Sequence, residues 1–161
     1  MSTANIQTAS SSHADPNLAV ADIAQQIAVN DLALVLFFCS SEYPQQDLAA
    51  ALAKYYPHTP VVGCTSAGEL SPDGYHHHSI TLIAFNDHNF TCASALVTDM
   101  ANLTLASGQQ LIDDLVHQID QSCVAPVKEN TFALTLLDGL SIQEEAFLKV
   151  LNASLGNIPL L

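Results

Sequence analysis

Two stretches of this chain follow the same order of apolar run, loop, helix and short apolar strand. The first begins with Leu32 to Cys39 and closes with Thr59 to Val62, and the second begins with Thr131 to Leu137 and closes with Ile158 to Leu161. A continuous apolar run of this kind is typical of a strand inside an α/β sheet. Because a helix between two such strands makes a right-handed crossover between parallel strands, the repeat predicts two β-loop-α-β units.

Capping residues and apolar periodicity predict the elements outside these units. A first helix begins at Asp15 and Pro16, which suit its cap and first turn, and runs to about Val29. The apolar spacing over residues 111–119 predicts another helix. Two β-prone runs, Ser79 to Phe85 and Phe90 to Thr98, predict an antiparallel hairpin. The predicted fold is therefore α/β, with a mixed sheet built from the two units plus the hairpin and with helices packed on it.

The composition is that of a globular domain. Apolar residues make up 49% of the 161 positions, which allows a substantial core without disulfides or metals. Met1 to Ser12 is polar and aperiodic, so residues 1–14 are expected to form a mobile tail and residues 15–161 one domain. The four cysteines have no zinc spacing, and no basic leader or apolar run long enough to cross a bilayer is found. We therefore expect a cytoplasmic protein with reduced thiols.

The charge balance excludes several classes of partner. Three Lys, no Arg and 16 Asp plus Glu give a formal net charge of -13. Such a surface repels nucleic acids and anionic membranes, and it lacks the guanidinium groups that clamp phosphates.

A run of small residues follows the last strand of the first unit. Val61 and Val62 lead into Gly63 to Gly68, and Glu69 comes next. Glycine permits positive φ, and successive N–H groups in a loop can form an anion-binding concavity. The alternative is a tight turn that packs one backbone against another. The ligand-binding interpretation selects Gly63, Cys64, Thr65, Ser66, Ala67, Gly68 and Glu69.

Other polar residues follow the strands of both units. Ser40 comes directly after the first run, and Asp138, Gly139 and Ser141 come after the run of the second unit. Carboxyl ends of parallel strands meet at the edge where open α/β sheets bind ligands, so these residues are expected to converge with the small-residue loop. For Asp138 and Gly139, an ordinary turn is the alternative.

Cysteine and histidine residues allow two further hypotheses. A loop of N–H groups would lower the pKa of Cys64, which is then a candidate nucleophile of a thiol-dependent enzyme, with a small packed residue as the alternative. Successive strand residues point to opposite faces, so at most two of His76 to His78 share a side and they do not close a metal site. A single histidine, namely His58, His76 or His78, is a candidate for axial haem ligation.

Several of these segments resemble the amino-terminal FIST domain. The resemblance is carried by Leu34 to Ser40, Pro60 to Leu70, Gly74-Tyr75, Ser79-Ile80, and Leu136 to Ser141 followed by Glu144-Glu145. It implies a non-catalytic, intracellular bacterial domain that senses a small, amino-acid-like molecule in signal transduction. It also implies a carboxy-terminal FIST domain in cis, and coupling to a two-component kinase or to a cyclic-dinucleotide enzyme. Some similar proteins bind haem and sense nitric oxide, so haem is the alternative ligand.

The residues narrow the ways in which an amino acid could bind. Because the chain has no Arg, the carboxylate of an amino acid would have to bind to loop N–H groups or to a segment outside this sequence. Glu69 or Asp138 would then bind its ammonium group. Because the second unit stops at Leu161 where the first continues into its small-residue loop, we expect the domain to be incomplete at its carboxy-terminal end.

Overall fold

The computed structural model describes residues 5–27, 29–71, 74–138 and 143–161. Its contacts group into two compact units, Met1–Cys92 and Ala93–Leu161. No helix within the described ranges is both long and apolar enough to cross a membrane. The secondary structure is α/β, as predicted.

The described part of the amino-terminal unit is built on a mixed sheet of four strands. These are β1 (Ile6–Ser11), β2 (Leu32–Ser40), β3 (Val61–Ser66) and β6 (Ile80–Asn86), in the spatial order β1-β6-β2-β3. Strands β2 and β3 are parallel and are joined by helix α2 (Gln45–Tyr55), which confirms the first predicted β-loop-α-β unit. Strand β6 is antiparallel to both of its neighbours.

Helix α1 (Pro16–Gln26) begins as predicted. The Asp15 carboxylate accepts hydrogen bonds from the N–H groups of Asn17 and Leu18, which have no partner inside the helix. The helix ends at Gln26, three residues before the predicted end at Val29. The apolar side of α1 packs in one core with residues of β2, β6 and α2. The residues of that core with no exposed surface are Ala19, Val20, Ile23, Val35, Ile80 and Leu82. Each large aliphatic side chain buried there contributes about 1.5–3 kcal/mol of transfer free energy.

Two predictions for this unit are wrong. Ile6–Ser11 is not part of a mobile tail, because it forms β1 along the outer side of β6. Backbone hydrogen bonds hold an edge strand whatever its side chains, so a polar, aperiodic sequence did not indicate it. The predicted hairpin of Ser79 to Phe85 with Phe90 to Thr98 is absent from the described residues, since β6 pairs with β1 and β2. A shorter hairpin, which the sequence did not indicate, joins β4 (Glu69–Ser71) to β5 (Gly74–His76).

The carboxy-terminal unit contains a short 3-10 helix (Met100–Asn102), helix α3 (Leu105–Gln121) and helix α4 (Glu144–Leu155). Thr104 and Ser107 form a capping box at the start of α3. Ile112, Phe147, Leu151 and Leu155 form its buried core. Ala133 and Leu160 form a parallel bridge, in which Leu161 N–H donates to Ala133 O at 2.9 Å. The second pair of strands is therefore parallel, as the repeat predicts, but much shorter than predicted.

Candidate functional site

The predicted small-residue loop is mostly strand. Strand β3 continues to Ser66, and residues 63–66 pair with residues 37–40 of β2. Neither Gly63 nor Gly68 has a positive φ. The loop predicted for Gly63 to Ser66 is therefore wrong, because the backbone groups of these residues that face β2 take part in the parallel ladder. The ligand-binding role of this stretch stays a prediction.

Close packing explains the glycines in this stretch. A Cβ atom on Gly63 would lie 2.2 Å from the carbonyl oxygen of Phe37, and one on Gly68 would lie 2.0 Å from the hydroxyl of Tyr75. The Tyr75 O–H also donates to the carbonyl oxygen of Ala67 at 3.2 Å. These glycines therefore allow the backbone to pass close to a neighbouring strand and to a tyrosine side chain.

A buried carboxylate lies just beyond the end of β3. Glu69 is 2% exposed, and each of its oxygens accepts a hydrogen bond from a serine. Ser66 Oγ donates to Oε1 at 2.8 Å, and Ser79 Oγ donates to Oε2 at 2.6 Å. Because a buried carboxylate loses its hydration, these hydroxyls provide compensation. They also fix Glu69 between the end of β3 and the start of β6.

The Cys39 thiol lies close to this carboxylate, and the Cys64 thiol lies close to Cys39. Burial, followed by the charge of Glu69 and the proximity of Cys64, raises the pKa of Cys39 to about 11. Burial also raises the pKa of Cys64. Both thiols are therefore protonated at neutral pH, whereas a nucleophilic cysteine requires a lowered pKa. The electrostatics oppose the predicted role of Cys64 as a nucleophile.

The loop after β2 adds a tyrosine and a glutamate that contacts a histidine. Tyr43 O–H donates to the carbonyl oxygen of His13 at 2.7 Å. Burial, then the proximity of Cys39 and Glu69, raises the pKa of Tyr43 to about 12. The Tyr43 ring lies 5.1 Å from that of His78, whose Nδ1 is 2.6 Å from Glu42 Oε2. The Nε2 atom of His78 is buried and has no hydrogen-bond partner in the described part of the chain.

Sequence reasoning selected some of these residues and missed others. Ser40, at the end of β2, is buried, and its N–H donates to Ser79 O at 2.9 Å. Ser40, Cys64, Ser66, Glu69 and His78, all selected from the sequence, therefore lie around the carboxyl ends of β2 and β3. The residues missed are Cys39, Glu42, Tyr43 and Ser79. Their positions at or just after the end of one predicted strand, or at the start of another, were the available signal.

The remaining candidates are exposed, lie on the β4-β5 hairpin, or are not described. Thr65, Ala67 and His58 are exposed, and His76 pairs with Glu69 across the β4-β5 hairpin. Asp138 is an exposed residue of the carboxy-terminal unit, while Gly139 and Ser141 lie outside the described residues. The convergence of Asp138, Gly139 and Ser141 with Glu69 stays a prediction.

A groove of about 400 Å³ lies at the other end of the sheet. It is lined by residues at the start of β2 and the end of β6, together with their flanking loops: Gln7, Ile27, Val29, Asn30, Asp31, Leu32, Asn86 and His88. Nothing in the sequence pattern indicated this groove, because open α/β sheets bind ligands at the carboxyl ends of their parallel strands.

Comparison with known proteins identifies the family. Searches of curated proteins and of solved structures gave no match. The family model described as the FIST N domain matches residues 33–161, which include β2 except its first residue, β3 to β6 and the whole carboxy-terminal unit. The chain therefore belongs to the FIST family of sensory domains in signal transduction.

Proposed function

We propose that this FIST domain binds a small, amino-acid-like molecule at the corner formed by Cys39, Tyr43, Ser66, Glu69 and Ser79, called the Glu69 corner below. The observation that carries the proposal is the buried Glu69 carboxylate, held by Ser66 and Ser79 at the carboxyl end of β3. A carboxylate removed from water and fixed by two hydroxyl groups is a preorganised polar group for a ligand.

The fold and the charge support this position. The Glu69 corner lies at the carboxyl ends of the adjacent parallel strands β2 and β3, which is the edge of an α/β sheet where ligands bind. The net charge of -13 disfavours nucleic acids and phosphorylated ligands. Raised thiol pKa values leave neither Cys39 nor Cys64 as a thiolate at neutral pH, which supports a domain that acts without thiol catalysis.

The proposed setting is intracellular signalling. A carboxy-terminal FIST domain in cis would complete the ligand site. The output would pass to a signalling kinase or to a cyclic-dinucleotide enzyme in the cytoplasm. These partners are proposed because the chain resembles FIST proteins.

Isothermal titration of the full chain against a panel of amino acids tests the proposal. We expect at least one amino acid to bind, and Glu69→Gln to weaken its binding at least tenfold. Glu145→Gln, on the exposed side of α4, is the matched control and should leave the affinity unchanged. If no amino acid binds, the amino-acid proposal is wrong.

Haem is a second candidate ligand, favoured by the surroundings of His78. A histidine that ligates a metal usually donates its other ring N–H to a carboxylate, as His78 does to Glu42. The free Nε2 atom of His78 fits an axial ligand, and bound haem iron would supply the nitric-oxide binding that similar proteins show.

Absorption spectroscopy of the full chain after titration with haem tests this alternative. We expect a Soret band that is lost in His78→Ala and kept in His117→Ala, which changes an exposed histidine of α3. A Soret band that His78→Ala leaves unchanged would show that His78 is not the axial ligand. If neither haem nor any amino acid binds, the small-ligand function is wrong.

A further inference from the structure

The Glu69 corner contains hydrogen-bond acceptors and a negative charge without a matching cationic side chain. The chain has three Lys and no Arg. Lys54 Nζ lies 5.4 Å from the centre of the Tyr55 ring, and Lys149 pairs with Glu145. No ion pair within the described ranges involves Glu69. The carboxylate is therefore compensated by serine hydroxyls and by no basic side chain that the structure describes.

A second acceptor belongs to the segment that holds Glu69. His78 and Ser79 are consecutive residues, so the segment that donates to Glu69 through Ser79 also carries the imidazole of His78. Because the Glu42 carboxylate can only accept, His78 Nδ1 carries the proton, and in the neutral ring Nε2 presents a lone pair. That atom is buried and unpartnered in the described part of the chain, so a donor from a ligand would satisfy it.

We propose that the Glu69 corner and the adjoining His78 together bind the positively charged, hydrogen-donating end of the ligand, a primary ammonium or a guanidinium group, through Glu69 and His78 Nε2. This inference rests on the proposed small-ligand function and names the ligand group that the site recognises. An ammonium group offers three donors and a full positive charge, which match one carboxylate and one imidazole lone pair. A ligand carboxylate would instead meet a like charge and an acceptor.

A partly exposed contact lies beside the corner. Glu69 is almost fully buried, but the Glu42 side chain that pairs with His78 is 71% exposed. A single contact between partly exposed side chains contributes little to stability, so the loop after β2 can separate from His78 at low cost. His78 itself has a φ of 54°, a left-handed conformation that directs its side chain toward Glu42 while Ser79 stays bonded to Glu69.

Three probes of equal length test the charge preference on the full chain. We expect n-butylamine to bind with a dissociation constant in the millimolar range, as suits a fragment of this size, and butyrate and n-butanol to bind at least tenfold more weakly. Chemical-shift changes in two-dimensional NMR spectra are the measurement, and they also show whether residues around Glu69 respond.

Two variants test the residues. Glu69→Gln should weaken butylamine binding at least tenfold, and Glu145→Gln, which removes an exposed carboxylate, should not change it. If Glu69→Gln does not fold, His78→Asn serves instead, because asparagine tolerates the left-handed backbone at this position and lacks the Nε2 acceptor. A severalfold loss of affinity is expected in His78→Asn.

The outcomes separate this inference from the proposed function. If an amino acid binds but butylamine does not, or if butyrate binds as well as butylamine, the charge preference is wrong while the small-ligand function stands. Butylamine binding that neither variant weakens also overturns the inference, because it places the amine elsewhere. If neither an amino acid, haem nor butylamine binds, both proposals fail.

Discussion

The two β-loop-α-β units share a sequence pattern but differ in how far their strands pair. Strand β2 pairs with β3 over six residue pairs and with β6 along its other side. In the carboxy-terminal unit, Ala133 and Leu160 form a single parallel bridge between the equivalent segments that the structure describes. Val35 of β2 has no exposed surface, whereas Phe132 and Leu134 of the second run are 56% and 46% exposed. An apolar run is therefore compatible with a buried strand, but neighbouring elements decide whether it is buried.

The largest expected effect tests this difference in burial. Leu82→Ala removes a fully buried side chain from the core of the amino-terminal unit and should lower the free energy of unfolding by about 2–5 kcal/mol. Leu134→Ala, in the exposed second run, should change it by less than about 0.5 kcal/mol. Urea unfolding followed by NMR signals from each unit is the measurement. Equal losses in the two variants would contradict the difference in burial.

The close approach of β3 to β2 gives the next largest effect. In Gly63→Ala the new Cβ would lie 2.2 Å from the carbonyl oxygen of Phe37, which cannot rotate away as a side chain can. We expect the free energy of unfolding of the amino-terminal unit to fall by about 1–3 kcal/mol or more. Thr65→Ala, at an exposed position of the same strand, is the control. A stable Gly63→Ala variant would show that β2 and β3 can separate locally.

Alkaline pH should destabilise the amino-terminal unit through Cys39. Burial and nearby Glu69 raise its pKa from 9.0 to about 11, so between these values the unfolded chain loses a proton that the folded chain keeps. The protonated Cys39 thiol makes its full contribution to the free energy of unfolding below pH 9. This contribution, on the order of 2 kcal/mol, is lost as the pH rises to about 11. Unfolding measured from pH 8 to pH 11 should show a smaller decrease in Cys39→Ala. Equal decreases in both proteins would show that Cys39 is not responsible.

The smallest expected effect concerns the short pairing in the carboxy-terminal unit. Thr135 N–H donates to the carbonyl oxygen of Leu161 at 3.0 Å, and Thr135→Pro removes this donor. One hydrogen bond at a short edge is worth about 1 kcal/mol, so the unit should stay folded. Leu36→Pro, in the middle of β2, should instead unfold the sheet. Hydrogen exchange measures whether each unit stays folded in the two variants. If Thr135→Pro unfolds the carboxy-terminal unit, the pairing is essential there.

Part of the candidate site was predictable from local sequence. Ser40 and Glu69 were selected because each follows a predicted strand, and the structure places both at the carboxyl ends of β2 and β3. Ser79 was not selected, although it donates to Glu69, because nothing near position 79 indicates that β6 lies beside β2. The same limitation applies to Tyr43, whose hydroxyl reaches the carbonyl oxygen of His13, 30 residues away.

The sequence by itself determined the helices, the parallel crossovers and the acidic character of the chain. Helix caps, apolar periodicity and charge are local properties, so a short segment such as Asp15 to Gln26 contains the information for its own helix. Tertiary structure alone decided that Ile6–Ser11 forms an edge strand, that β3 extends to Ser66, and that two serines hold Glu69. The reason is that strands pair through backbone groups that every residue carries, so the choice of partner depends on which distant segments the whole fold brings together.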